Sequence, residues 1–132
     1  MCWSNYTATP LVLKKPLRVY KVGTVSTFGG FISLYRNFIY RESQTMPTIK
    51  INPEFTRIPP FFGSQDELWN YDNFYIYEGY HSYLTKEMAK LSRDKYNKIG
   101  IFEIPVGATI YVNYRSGEVV STDIKYLGLL EE

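Results

Sequence analysis

The sequence predicts an α+β domain built mainly on an antiparallel β-sheet, or on a partly open barrel, with one short helix at about residues 85–94. Three observations point there. Short runs rich in tyrosine, valine, isoleucine and phenylalanine recur between glycine and proline punctuation, which is the pattern of strands joined by turns. Only one stretch combines a helical period with a capping residue in front of it. The 132 residues, 45% hydrophobic and 17% aromatic, are enough to bury one core and too apolar for a disordered chain.

Residues 1–16, with Pro10 and Pro16, read as an arm that Trp3 could anchor, and 17–132 as the single domain. In 17–22, Leu17, Val19 and Lys21 alternate with Arg18, Tyr20 and Val22. Neither side is cleanly apolar, so an edge strand is expected. A turn over 24–30 ending in Gly29 and Gly30 leads into a strand at 31–35, together a hairpin; 48–51 is short, strand-like and stopped by Pro53. The irregular connection 61–73 holds Phe61, Phe62 and Trp69, which are expected to cap the core.

Residues 75–83 gather four tyrosines, the lone histidine and Gly79, and run straight into the helix. Before Gly79 the residues alternate as a strand does, so the glycine is expected at a bulge or tight bend, with Tyr80, His81 and Tyr83 in a second short segment. Thr85 then caps the helix, Glu87 occupies its favourable first turn, and Leu84, Met88 and Leu91 share one face. Lys86, Lys90 and Arg93 make a solvated face. A buried strand follows at 99–104, then a hairpin of 109–113 and 118–121 with Gly117 supplying a positive φ, and a last strand at 124–130.

No apolar run approaches the roughly 20 residues of a membrane span, and the start lacks the basic and long apolar stretches of a signal peptide, so a cytoplasmic protein is expected. Cys2 is the single cysteine, which leaves no internal disulfide and no cysteine-based metal site. It reads as a peripheral terminal residue and not as an N-terminal nucleophile. His81 has no helpers in sequence beyond Glu78 and reads as a half-buried structural histidine. Glu78, Glu103 and Glu118 are the strand-placed glutamates, without a spacing that marks a carboxylate pair. Ser26 and Thr27 precede the glycine pair, but no helix start or Gly-Lys-Ser/Thr pattern follows to make a phosphate loop. No catalytic residue, cofactor or metal is expected.

Charge is distributed unevenly. Residues 1–60 hold 8 basic and 2 acidic side chains, a net +6, and residues 61–132 hold 7 basic and 11 acidic, a net −4. Unless the fold interleaves the halves and cancels the field, the basic side would attract nucleic acid or an acidic protein. Lys14, Lys15, Arg18, Lys21, Arg36 and Arg41 are the candidate cations, and Tyr77, Tyr80, His81 and Tyr83 a candidate contact platform. Rings beside cations suit single-stranded RNA, at about 1–3 kcal/mol per stacked base, and suit a tyrosine- and arginine-rich protein interface as well.

The set Met1-Cys2-Trp3, Val19-Tyr20-Lys21-Val22, Glu78 to Tyr83, Ile104 to Gly107, Tyr111 and Gly117 to Ser121 resembles small phage and prophage proteins of Bacteroidetes-type bacteria, over nearly the whole chain. Such proteins are often inhibitors of host defence, including anti-CRISPR proteins. The resemblance therefore implies a non-enzymatic binding protein whose partner is a host defence protein or ribonucleoprotein, with direct RNA contact as a variant. Gly79 to Ala89 and Ile104 to Gly107 are also similar, more weakly, to ADP-ribosyltransferase-like folds. That similarity implies a nicotinamide pocket near His81 and Tyr83, with NAD as ligand and Glu118 as the acid.

Overall fold

The computed structural model describes residues 10–27, 29–34, 38–42, 44–51, 54–55, 74–76, 78–95, 97–114 and 116–131. In chain order the elements are β1 (Leu11–Val12), β2 (Leu17–Val25), β3 (Phe31–Ser33), β4 (Ile39–Tyr40), β5 (Glu54–Phe55), β6 (Phe74–Tyr75), β7 (Tyr80–Tyr83), α1 (Lys86–Leu91), β8 (Lys98–Ile104), β9 (Thr109–Asn113), β10 (Glu118–Ser121) and β11 (Lys125–Leu129). Among the described residues the architecture is mainly antiparallel sheet with one short helix, and the sheet stays unclosed.

β2 is the spine and not the edge strand its mixed pattern suggested. From Leu17 to Gly23 it pairs with β8, which carries β11 on its far side. On its other edge it meets β7 at Tyr20 opposite Tyr83, then β3 along residues 23–25. β7 leads outward to β10, β9 and β1, while β3 leads to β4. The alternation is not apolar/polar because both faces of β2 are covered. Val19 faces the main core, and Tyr20 and Val22 pack under α1 with Ala89 and Ile99. A strand buried on two sides loses the half-polar signature of an exposed one.

The main core lies on one face of the sheet, where β2, β3, β4, β7, β8, β9, β10 and β11 all contribute. Its centre is a knot of rings. Phe102 meets Phe31, Tyr40 and Tyr126 at centroid distances of 5.5, 4.9 and 5.0 Å, and Phe31 stacks on Tyr126 at 5.4 Å. Such edge-on and offset contacts add about 0.5–1.5 kcal/mol per pair beyond area burial.

Thr85 caps α1 as expected, accepting from the Met88 amide at 3.2 Å. The helix is shorter than the predicted 85–94. Ser92 and Arg93 donate to carbonyls three residues back, Ala89 and Lys90, which tightens and ends it. Ala89 is the helix's buried residue; of the expected row Leu84 and Met88 are half-buried, Leu84 against the main core, and Leu91 is 83% exposed. The 109–113/118–121 hairpin forms as predicted, with Gly117 at φ 73°. Residues 48–51 form no strand; they run alongside β10's end, where Ile49 donates to the Thr122 carbonyl at 2.8 Å. The arm is partly within the fold, since Leu11 and Val12 pair with β9. Trp3, Cys2 and the 61–73 connection lie outside the described residues.

Gly79 is the expected bend. At φ 98° it would hold a side chain only with strain, and a Cβ there would lie 2.7 Å from Val120 Cγ1. It stands over a second, smaller cluster of Ile51, Ile76, Tyr111 and Val120 on the opposite face of the sheet.

Candidate functional site

The strand alternation divides the tyrosine platform. Tyr80 points inward and is wholly buried, its hydroxyl donating to the Pro47 carbonyl at 2.6 Å. Burial, and secondarily the Asp123 carboxylate, push that hydroxyl's pKa up. His81 and Tyr83 face the other way and are half-buried, and Tyr77 lies outside the described residues. The four therefore do not form one stacking surface.

The cations part company in the same way. Lys14 and Lys15 are exposed just after β1, Arg41 is exposed past β4, and Arg36 lies outside the described residues. Arg18 is exposed on β2 but sits directly across from Glu103, which is in turn across from Lys125. Here the acidic second half interleaves with the basic first half, because β2 lies between β7 and β8. The opposed charges weaken any one-signed field.

Lys21 is the correction with the largest consequence. It is 4% exposed, on the core side of β2, and cannot serve as a surface contact. Its ammonium donates to the His81 carbonyl at 2.5 Å and stands 5.2 Å from the Tyr40 ring centroid and 5.7 Å from that of Phe102. Burial pulls its pKa from 10.5 down to about 7. Tyr40 beside it is pushed up, first by burial and then by Tyr80.

A feature the sequence did not disclose lies at the end of the sheet where β1 ends. Residues 48–51, the β8–β9 turn 105–108, Thr109, Tyr111, Thr122 and Asp123 line a groove of about 660 Å³. Asp123 holds it together: Thr48 Oγ1 donates to one carboxylate oxygen at 2.5 Å and Thr122 Oγ1 to the other at 2.6 Å. The Thr109 amide donates to Thr122 Oγ1 at 3.1 Å. The apolar lining is Ile49, Ile51, Ala108, Tyr111 and Val106, the last 57% exposed, and Lys50 is exposed on the wall. Leu13 exchanges backbone bonds with Ala108 and Gly107, both 2.9 Å, so Lys14 and Lys15 leave the sheet at this same end. The lining comes from three distant segments with no shared period, which is why no local signal marked it.

Among the described residues no group of three or more histidine, cysteine, aspartate or glutamate side chains could hold a metal ion. No helix among them is long and apolar enough to cross a membrane. No protein-family model, curated protein or solved structure matches the chain.

Proposed function

We propose that this protein is a non-enzymatic binding protein of the phage-inhibitor type, and that it seats a protein component of a host nucleic-acid-dependent defence complex at the β1 end of the sheet. The groove carries this reading. It joins an apolar lining, exposed Val106 included, to Lys50 on its wall, and exposed Lys14 and Lys15 follow Leu13, which is bonded to the lining turn at Gly107 and Ala108. Exposed apolar side chains ringed by charge suit a protein partner. Direct RNA stacking is the weaker form of the reading, because Tyr40 and Tyr80 are consumed by the core and Tyr111 is only 7% exposed. The phage resemblance supplies the class of partner.

The test is a pull-down from a host expressing its defence systems, with Lys14→Glu, Lys15→Glu and Lys50→Glu combined in one variant. These exposed changes should leave thermal stability within about 0.5 kcal/mol while reducing capture in a salt-dependent way. Undiminished capture at low salt would remove the claim.

A second reading draws on one juxtaposition. Glu118 stands across from Tyr83, and His81 shares their face two residues along β7, so the residues of the ADP-ribosyltransferase-like similarity are neighbours. Incubation with labelled NAD and host lysate separates the readings: label transfer that Glu118→Gln abolishes would establish the enzyme.

A further inference from the structure

β2 loses its β7 neighbour after a single pairing, Tyr20 with Tyr83, and gains β3 only at Gly23. Between those points the sheet forks. Leu84 donates to the Gly117 carbonyl across β10, so alternation turns the backbone groups of His81 and Tyr83 toward β2. At His81 the group that meets the carbonyl from β2 is a side chain, the Lys21 amine, at 2.5 Å. An inward-pointing lysine thus ties β2 to β7 beyond their one registered pair.

We propose that Lys21 is a proton-operated latch on this fork: as the neutral amine it holds β7 against β2, and taking up a proton loosens the hold. The neutral amine satisfies the His81 carbonyl and is otherwise at ease among rings. The ammonium keeps that bond and gains attraction to the Tyr40 and Phe102 faces, at about 0.5–2 kcal/mol each. Against this stands its loss of hydration at 4% exposure, and the fall in its pKa to about 7 has burial as its cause. Desolvation wins, so protonation favours whatever arrangement wets the side chain.

Other titratable groups stand on the surrounding strands. On β4 and β7, Tyr40 and Tyr80 are pushed up and stay neutral, as does Tyr126 on β11. Alternation places the His81 imidazole, Glu103 of β8 and Lys125 of β11 on the opposite face, and Lys98 stands at the far end of β8, opposite Gly23. β3 contributes no charged side chain.

The sign follows from linkage. In the open fork Lys21 titrates near 10.5 and in the closed fork near 7. Below pH 7 both forms carry the proton and opening is insensitive to pH. Between pH 7 and 10.5 only the open form carries it, so each unit rise in pH makes opening about tenfold rarer. From pH 9 down to pH 7 the fork should open about fifty times more often, and from pH 7 to pH 6 only about twice as often.

Two measurements on the unmodified protein test this, with Lys21→Met as a third. The Lys21 Cε resonance should titrate near pH 7, and a midpoint near 10 overturns the latch. Amide exchange at residues 81–83, corrected for intrinsic rates, should show opening that follows the fifty-fold course. The β9–β10 hairpin serves as reference: exchange there that changes in the same proportion means global unfolding and overturns a local latch. In Lys21→Met the fork's pH dependence should vanish, and its persistence would assign the effect to another group.

Discussion

Along β9, Ile110 and Val112 face the interlocked rings of the main core, while Tyr111 between them faces a cluster of three aliphatic partners, Ile51, Ile76 and Val120. The two sides of one strand are thus closed by different means. On the main-core face eight strands contribute to one cluster centred on rings. On the opposite face the cover is piecemeal, α1 over Val22 and Ile99 and Ile51 over Tyr111 and Val120, with the groove beside it. The first face holds the buried lysine, and the patched face carries the groove.

The contrast breaks most severely at Phe102. Phe102→Ala removes the hub of the ring cluster at a fully buried position and should cost about 3–5 kcal/mol in denaturant unfolding, since the strands around it cannot collapse into the cavity. A loss below ~1 kcal/mol would show that the rings are not what holds the main core together.

Gly79 and Gly107 sharpen the comparison, having φ values of 98° and 89° in very different surroundings. Alanine at Gly107 meets nothing within 4 Å, so Gly107→Ala should cost only the backbone strain, about 1–2 kcal/mol. Gly79→Ala adds a clash with Val120 and Ile51, which overpacking data put at roughly 1–3 kcal/mol more. Equal melting temperatures for the two variants would mean that the small cluster yields freely.

The smallest effect is expected where the cover is a single short helix. Thr85→Ala deletes the cap on α1 and should lower stability by about 1 kcal/mol, read by thermal melting. Because α1 shields Val22 and Ile99, amide exchange in β8 should rise along with it. Unchanged exchange there would show that the helix is dispensable to the sheet.

Local signals carried well where one residue type settles one geometry. Gly79 as a bend, Gly117 in the hairpin and Thr85 as a cap were all legible, because φ preference and capping are properties of a residue and its immediate neighbours. The β2 assignment failed for the opposite reason. Whether a strand with Tyr20 and Lys21 in it lies at the edge or at the centre depends on what α1 and β4 bring to it, from 66 residues and 19 residues away (86 − 20 and 40 − 21). The candidate site fared the same way: Lys14, Lys15 and Arg18 emerged as exposed cations, whereas Thr48, Tyr111 and Asp123 had no signature until the chain brought them to one groove.

The sequence by itself determined a mainly antiparallel fold with one short helix, the turns that allow it, and the excess of basic residues in its first half. Only the tertiary structure decided which of those basic residues meet solvent. A lysine brings the same amine wherever it stands, but how readily that amine keeps its proton depends on how much water surrounds it. At Lys21 that is set by Tyr40 and Phe102, drawn from two other strands, and by the carbonyl of His81 on a third.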